Sequence, residues 1–181
     1  LIDMACGTGD LGKLFLENTN YEGNVVFVDP NSKMLKKGME RLKNHKNISW
    51  KKGSAEKIPA TNNYFDYYCI SFGLRNTKNI YQSLKEAYRV LKPGGRFLCL
   101  EFSKIENDNL EYLYKNYSKL IPKIGEIIVG EKKPYEYLVK SIENFVNQDE
   151  LIDLMKKNGF IKCNYRNLSG GIVSIHSGWK I

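Results

Sequence analysis

The chain predicts an α/β fold: an open, mostly parallel sheet with helices on both faces and an antiparallel strand at its edge. Three observations carry that expectation. Short, almost purely apolar runs alternate with amphipathic stretches four times between Leu1 and Ser103, the pattern of strands buried on both faces and joined by crossover helices. The runs end in turns rich in small residues or acids, Ala5-Cys6-Gly7-Thr8-Gly9 and Asp29-Pro30 among them. The last two strand-like runs follow one another with only Ser169-Gly170-Gly171 between them, a hairpin signal, and an antiparallel strand at the edge of a parallel sheet is common in this class.

Leu1 to Met4 reads as the tail of a buried strand that breaks into the turn Ala5-Cys6-Gly7-Thr8-Gly9-Asp10. Small residues there let a backbone approach a ligand closely. Gly7, Gly9 and Gly12 satisfy a dinucleotide spacing, and Asp29 follows at about the distance of a ribose-binding acid. Asp3 and Asp10, one on either side of the glycines, suit a pyrophosphate poorly, because a helix N-terminus holds that anion itself and two carboxylates repel it. They suit a cation better. S-adenosylmethionine, with its sulfonium and ammonium, fits Asp3, Gly7 and Gly9 better than a nicotinamide cofactor. An ordinary strand-to-helix turn is the plain alternative.

Leu11 to Leu16 continues as an amphipathic helix. Val25-Val26-Phe27-Val28-Asp29 is an uninterrupted β-branched and aromatic run, and its terminal acid falls at the carboxyl end of a strand, where open α/β sheets bind ligands. Its carboxylate suits a ribose diol; a helix cap is the alternative. Pro30-Asn31-Ser32 opens a helix with Met34, Leu35, Met39 and Leu42 as its stripe. Ile48 to Gly53 reads as a short edge strand, followed by Ser54 and Ala55, small enough to line an adenine slot. Tyr64 to Ser71 is the central strand and delivers Phe72-Gly73-Leu74-Arg75-Asn76 to the same rim. Arg75 is the charged residue of interest in that loop, with a surface ion pair as its bland reading. Ile80 to Leu91 is a helix stopped at Lys92-Pro93-Gly94-Gly95, and Arg96 to Ser103 is the next strand.

Between Asn107 and Val139 tyrosines and aliphatic residues exceed what a crossover helix needs, so 104–140 is expected to be a helical insertion over the substrate end, with part of it able to line an apolar tunnel. Ser141 to Asn158 is expected to hold a helix, and Phe160 to Leu168 and Ile172 to Trp179 are the closing strands.

At 181 residues, 42% hydrophobic and 27% charged, the chain is expected to form one domain with a sizeable core. No apolar run reaches the roughly 18 residues of a membrane span. The four cysteines, Cys6, Cys69, Cys99 and Cys163, form no Cys-x-x-Cys pair and read as structural thiols in a reduced compartment; no metal site is expected. The net charge of +8 would draw nucleic acid or anionic lipid, but the lysine pairs at 36–37, 51–52, 132–133 and 156–157 are dispersed, as on solvated faces.

Together these residues resemble the class I S-adenosylmethionine-dependent methyltransferases with their Rossmann-like fold, and more narrowly the ubiquinone/menaquinone biosynthesis C-methyltransferases. The narrow resemblance rests on Arg89 through Ser103, on Ile70 through Asn76, and on Tyr137-Leu138 with Ser141-Ile142, and it runs to the C-terminus. It implies S-adenosylmethionine as cofactor, held by Thr8, Asp29, Ser54, Ala55 and Ser71, and methyl transfer to a ring carbon of a polyprenylated benzoquinol or demethylmenaquinol. Arg75 is then the candidate catalytic residue, a fixed cation for a phenolate. Ser54 departs from the asparagine of the family, and Cys6 from a glycine. Family members carry several dozen further residues ahead of the cofactor motif, so the chain is expected to be N-terminally incomplete. A lipophilic quinol partner follows from the same resemblance; the apolar insertion and basic surface suit peripheral contact with an anionic membrane, the lack of a clustered basic stripe argues against nucleic acid, and a homodimer is left open. The resemblance also implies a cytoplasmic location, peripheral to the inner membrane, or on the matrix side of a mitochondrion. The competing readings are a methyltransferase of the same core acting on another small molecule or on nucleic acid, a cofactor-binding fragment without catalysis, and, least favoured, a dehydrogenase.

Overall fold

Seven strands form one sheet in the order β3-β2-β1-β4-β5-β7-β6, in a computed structural model that describes residues 1–105, 112 and 133–181. The strands are β1 (Ile2–Met4), β2 (Val25–Asp29), β3 (Ile48–Lys52), β4 (Phe65–Ser71), β5 (Leu91–Phe102), β6 (Ile161–Leu168) and β7 (Val173–Trp179). β1 to β5 pair in parallel, whereas β7 runs antiparallel to both β5 and β6. The antiparallel strand therefore lies one place in from the edge, and β6 closes the sheet. The chain builds outward from β1 to β3, then crosses to the other side of β1 to lay down β4. That reversal opens a crevice at the carboxyl ends of β1 and β4, where ligands of open α/β sheets bind.

Strand alternation decides what each face buries. Ile2, Met4, Tyr68, Ile70, Phe97 and Cys99 share one core with Leu84, Ala87 and Val90 of α3 (Ile80–Val90) and with Leu151 and Met155 of α5 (Gln148–Lys157). On the opposite face Leu1, Val25 and Phe27 pack with Leu16 of α1 (Asp10–Asn18) and with Leu42, which ends α2 (Ser32–Arg41). Close approach of α1 and α2 to this face depends on glycine. A Cβ on Gly12 would lie 2.3 Å from Phe27 Cε1, and one on Gly38 would lie 2.3 Å from Trp50 Cη2.

Asparagines start three of the helices by accepting backbone N–H groups at their first turn: Asn31 from Lys33 and Met34, Asn79 from Gln82, and Asn147 from Glu150, the last as a reciprocal capping box. α1 begins on Gly9 at φ 82° without a side-chain cap.

Some expectations shift. Of the α2 stripe only Leu35 and Leu42 are buried; Met34 and Met39 are 37% and 43% exposed, because the inward face carries positions 35, 38 and 42 and these two flank it. Leu91 leaves the helix with ψ 140° and begins β5. Ser141 belongs to α4 (Lys133–Glu143), separate from α5, so the stretch 141–158 holds the end of one helix and the whole of another. The expected insertion at 104–140 lies for its greater part outside the described residues; its end is the first turns of α4. Among the described residues no helix is long and apolar enough to cross a membrane.

Candidate functional site

The turn after β1 and the end of β2 are tied together at the crevice. Cys6 N–H donates to Val28 O (3.2 Å) and Gly9 N–H to Cys6 O (2.8 Å), which folds the turn back on itself. Gly7 N–H donates to Asp29 Oδ2 at 2.9 Å, and Asn31 N–H donates to Oδ1 at 2.7 Å. A carboxylate has about four lone-pair sites, so Asp29, held by two backbone donors, keeps capacity for a vicinal diol. Gly7 adopts φ 57°, and a Cβ there would meet nothing closer than Met34 Cε at 3.6 Å. The turn thus presents open backbone.

A cleft of about 620 Å³ runs across these strand ends, within the range of small-molecule sites. Met4, Ala5, Asp29, Ser54, Ala55 and Phe72 line it, with Glu56, Gly73 and Asn76 completing the wall. A Cβ on Gly73 would sit 2.5 Å from that of Ala5, so glycine is what lets the β4 loop close against the β1 turn. Glu56 joins the far walls: its Oε1 accepts from Lys78 N–H at 2.7 Å, and the Ser54 hydroxyl and Asn79 N–H also bond it, holding its carboxyl below the ordinary range despite burial, the largest single influence on it.

The expected site residues separate into three groups. Asp29, Ser54 and Ala55 line the cleft, and Gly7 touches its floor through Asp29. Thr8 and Gly9 turn toward the helices: Thr8 Oγ1 donates to Asp10 Oδ2 at 2.9 Å and Thr8 O accepts from Arg41 Nη2 at 2.9 Å. Ser71 sits at the end of β4, paired in register with Leu100, just before the cleft-lining Phe72.

The two acids flanking the glycines are engaged elsewhere in the fold. Asp10 is drawn away to Arg41, 2.7 Å distant. Asp3 lies behind the turn, 2% exposed, with its Oδ2 accepting Gly12 N–H at 2.9 Å; it fastens the start of α1 to the sheet. Burial pushes its carboxyl from 3.8 up to about 7, outweighing the Gly12 hydrogen bond. The acids that line the cleft are Asp29 and Glu56, and Glu56 carried no signal in its local sequence beyond standing two residues from a strand-end serine.

Arg75 sits in a dense set of contacts. Its guanidinium is held at 2.6 Å from Glu101 Oε1, with side-chain exposures of 9% and 0%. Its Nη1 also donates to Phe72 O (2.7 Å) and its Nε to Ser141 Oγ (3.3 Å), while its N–H donates to Glu101 Oε2 at 3.2 Å. Glu101 accepts Phe102 N–H as well; burial still raises its carboxyl above the ordinary range, Arg75 offsetting only part of that. These contacts tie the guanidinium to the loop that carries Phe72 and to the end of β5. Glu101 was legible: on β5 the alternation puts it on the same face as Phe97 and Cys99, and an acid on a buried face needs a partner. Arg75 also borders a second cleft of about 640 Å³ with Tyr137, Lys140 and Phe145, which shares Thr77 and Lys78 with the lining of the first. Tyr137 Oη donates to Asn76 Oδ1 at 3.1 Å, which ties α4 to the rim.

The residues present fit S-adenosylmethionine. An acid with spare acceptor capacity, open glycine backbone and a small-residue slot at Ser54-Ala55 occur side by side in one cleft.

Comparison with known proteins bears on the same site. The family model of the ubiE/COQ5 methyltransferase family matches residues 1–180. A ubiquinone/menaquinone biosynthesis C-methyltransferase UbiE of Rickettsia akari is 46% identical over 188 aligned residues, covering 100% of this chain and 76% of that protein. The corresponding protein of Brucella abortus is 44% identical, covering 99% of this chain and 68% of its own length. Among solved structures, a SAM-dependent methyltransferase from Aquifex aeolicus superposes with a TM-score of 0.72 at 17% identity, covering 99% of this chain and 81% of the other. A Haemonchus contortus phosphoethanolamine N-methyltransferase 2 in complex with S-adenosyl-L-methionine gives 0.70 at 16%, with 99% and 48% covered. These structural likenesses concern the fold.

Proposed function

The chain belongs to the ubiE/COQ5 methyltransferase family and is an S-adenosylmethionine-dependent methyltransferase; we propose that it methylates a ring carbon of a polyprenylated benzoquinol or demethylmenaquinol in ubiquinone/menaquinone biosynthesis. The observation that carries the substrate is the 46% identity to a protein of that printed activity along the whole chain. S-adenosylmethionine, when bound, supplies a methyl group on a sulfonium.

In this reading Asp29 accepts hydrogen bonds from the ribose diol, and the Gly7 and Asn31 N–H groups keep its carboxylate oriented. Ala55 and Ser54 pack the adenine, with Glu56 holding the serine hydroxyl, so the oxygen of Ser54 is left as an acceptor. Gly7 offers backbone without a side chain. Asp3 acts from behind by anchoring α1, as Thr8, Gly9 and Ser71 act by shaping the turn and the end of β4. Arg75, locked by Glu101, holds the Phe72 carbonyl and so fixes the acceptor side of the rim. Ring carbons become nucleophilic when a neighbouring phenol loses its proton, and the rest of the rate comes from holding that carbon in line, an effect worth up to about 7 to 11 kcal/mol in well-oriented systems. The lipophilic tail of such an acceptor and the net charge of +8 support peripheral contact with an anionic membrane.

The test is a single-vessel assay of the protein with methyl-labelled S-adenosylmethionine and either quinol. Label on a ring carbon, matched by an equal yield of S-adenosylhomocysteine, is the expected result. Label on oxygen alone, or none while calorimetry shows the cofactor bound, refutes the proposal.

A further inference from the structure

Phe72 is the large apolar side chain of the cleft, and core packing does not account for it. Its backbone stands at φ 52°, in the left-handed region that a bulky residue enters only under strain, and such strain clusters at functional sites. The surroundings enforce it. Phe72 N–H donates to Leu100 O at 2.8 Å, and Phe72 O accepts from Arg75 Nη1 (2.7 Å) and from Asn76 Nδ2 (3.3 Å). Despite this fixation the residue is 37% exposed. Its ring centroid lies 5.0 Å from that of Phe102 at 48°, and the Arg75 guanidinium lies 5.9 Å and 5.1 Å from the two ring centroids. The result is a braced aromatic surface, strained into place and left accessible.

Its position along the cleft gives it a role. Asp29 ends β2, and Ser54-Ala55 follow β3, so the nucleoside half of the cofactor is assigned to that side. β1 lies between β2 and β4, and Phe72, just past β4, is two strands away, about 10 Å at the usual strand spacing. The opposite end of the cleft is thus its aromatic end.

We propose that Phe72, braced by Phe102 and Arg75, is the platform against which the aromatic ring of the methyl acceptor stacks, a substrate-binding residue that sets the ring against the cofactor. This rests on the quinol reading above. An aromatic ring presents the same kind of flat, polarisable face as the acceptor, and offset or tilted stacking adds to simple burial. A leucine of similar bulk would fill the space without that face.

The experiment is steady-state kinetics of the wild type and of Phe72→Leu, Phe72→Tyr and Phe72→Ala, with S-adenosylhomocysteine affinity measured by calorimetry on each. Phe72→Leu and Phe72→Ala are expected to raise KM for the quinol about tenfold, with cofactor affinity within twofold of wild type; Phe72→Tyr is expected to stay within twofold for both. Equal quinol KM for Phe72→Leu and Phe72→Tyr overturns the proposal, as does a loss of cofactor affinity as large as the loss for the quinol, which would make Phe72 part of the cofactor wall. If Phe72→Ala does not fold, the contrast between leucine and tyrosine still decides. A wild type that turns over neither quinol refutes the activity itself and takes this proposal with it, whereas turnover with an unchanged KM in Phe72→Leu refutes the platform alone.

Discussion

Replacing Glu101 by alanine tests whether Arg75 serves the loop or the reaction. The carboxylate is fully buried, and its removal leaves a guanidinium with 9% side-chain exposure beside two phenylalanine rings. Arg75 N–H and Phe102 N–H lose their acceptor, and Arg75 Nη1 keeps only the Phe72 carbonyl. Breaking a buried pair from one side costs about 3 to 5 kcal/mol, because the remaining charge is uncompensated, whereas replacing both partners by apolar groups is often nearly neutral. For a domain of this size each kcal/mol moves Tm by about 2 to 4 °C, so Glu101→Ala should melt roughly 6 to 20 °C below wild type. The double variant Arg75→Met/Glu101→Leu should recover most of that loss. Thermal melts of the single and double variants, with quinol methylation followed beside them, provide the assay. If the pair is a positioning device, the double variant regains stability and retains part of the activity, as its loop is again held. A double variant no more stable than Glu101→Ala, or a single variant within 1 kcal/mol of wild type, refutes the account of the pair. A stable double variant devoid of activity returns Arg75 to a direct role in the chemistry.

Asp29→Ala should weaken S-adenosylhomocysteine binding by about 10- to 100-fold, the range for losing charge-assisted hydrogen bonds to a ligand, while the melt remains cooperative; calorimetry decides. Gly12→Ala places a Cβ 2.3 Å from Phe27 Cε1 and 2.8 Å from Val25 Cγ1, and the overpacking, about 1 to 3 kcal/mol, should exceed the roughly 1 kcal/mol that alanine contributes to a helix over glycine. Denaturant titration should therefore show a net loss, and a gain in stability would refute the close contact. Asp3 binds its proton up to about pH 7 when folded and only to about 3.8 when unfolded, so the folded state holds more protons between those values and stability falls as pH rises through that window, then levels off. Asp3→Asn has no such titration. Its stability relative to wild type should be more favourable at pH 8 than at pH 4, and an equal offset at both values would show that Asp3 is not buried as the structure has it.

What the sequence made readable follows from how short its determinants are. β2 could be delimited to the residue because Val25 to Asp29 is wholly apolar up to its acid, and Asp29 could be placed because strand ends in open sheets face the crevice. The opening of α2 at Pro30-Asn31-Ser32 could be placed because the Asn31 side chain reaches the next turn, a relation contained in four residues. The charged residues differ in kind: Asp10 meets Arg41 and Arg75 meets Glu101, partners on other elements whose approach is a property of the sheet order. That α1 lies over Asp3 with Gly12 offering an N–H is likewise a property of the packing and not of the local sequence. The same limit hid Phe72, whose residue type reads as core and whose role depends on φ 52°, a value set by contacts to Leu100, Arg75 and Asn76. A charge near a binding motif is therefore weak evidence for its use until the nearest opposite charge is known, and in this cleft Asp29, held only by backbone N–H groups, is the acid whose capacity is left for a ligand.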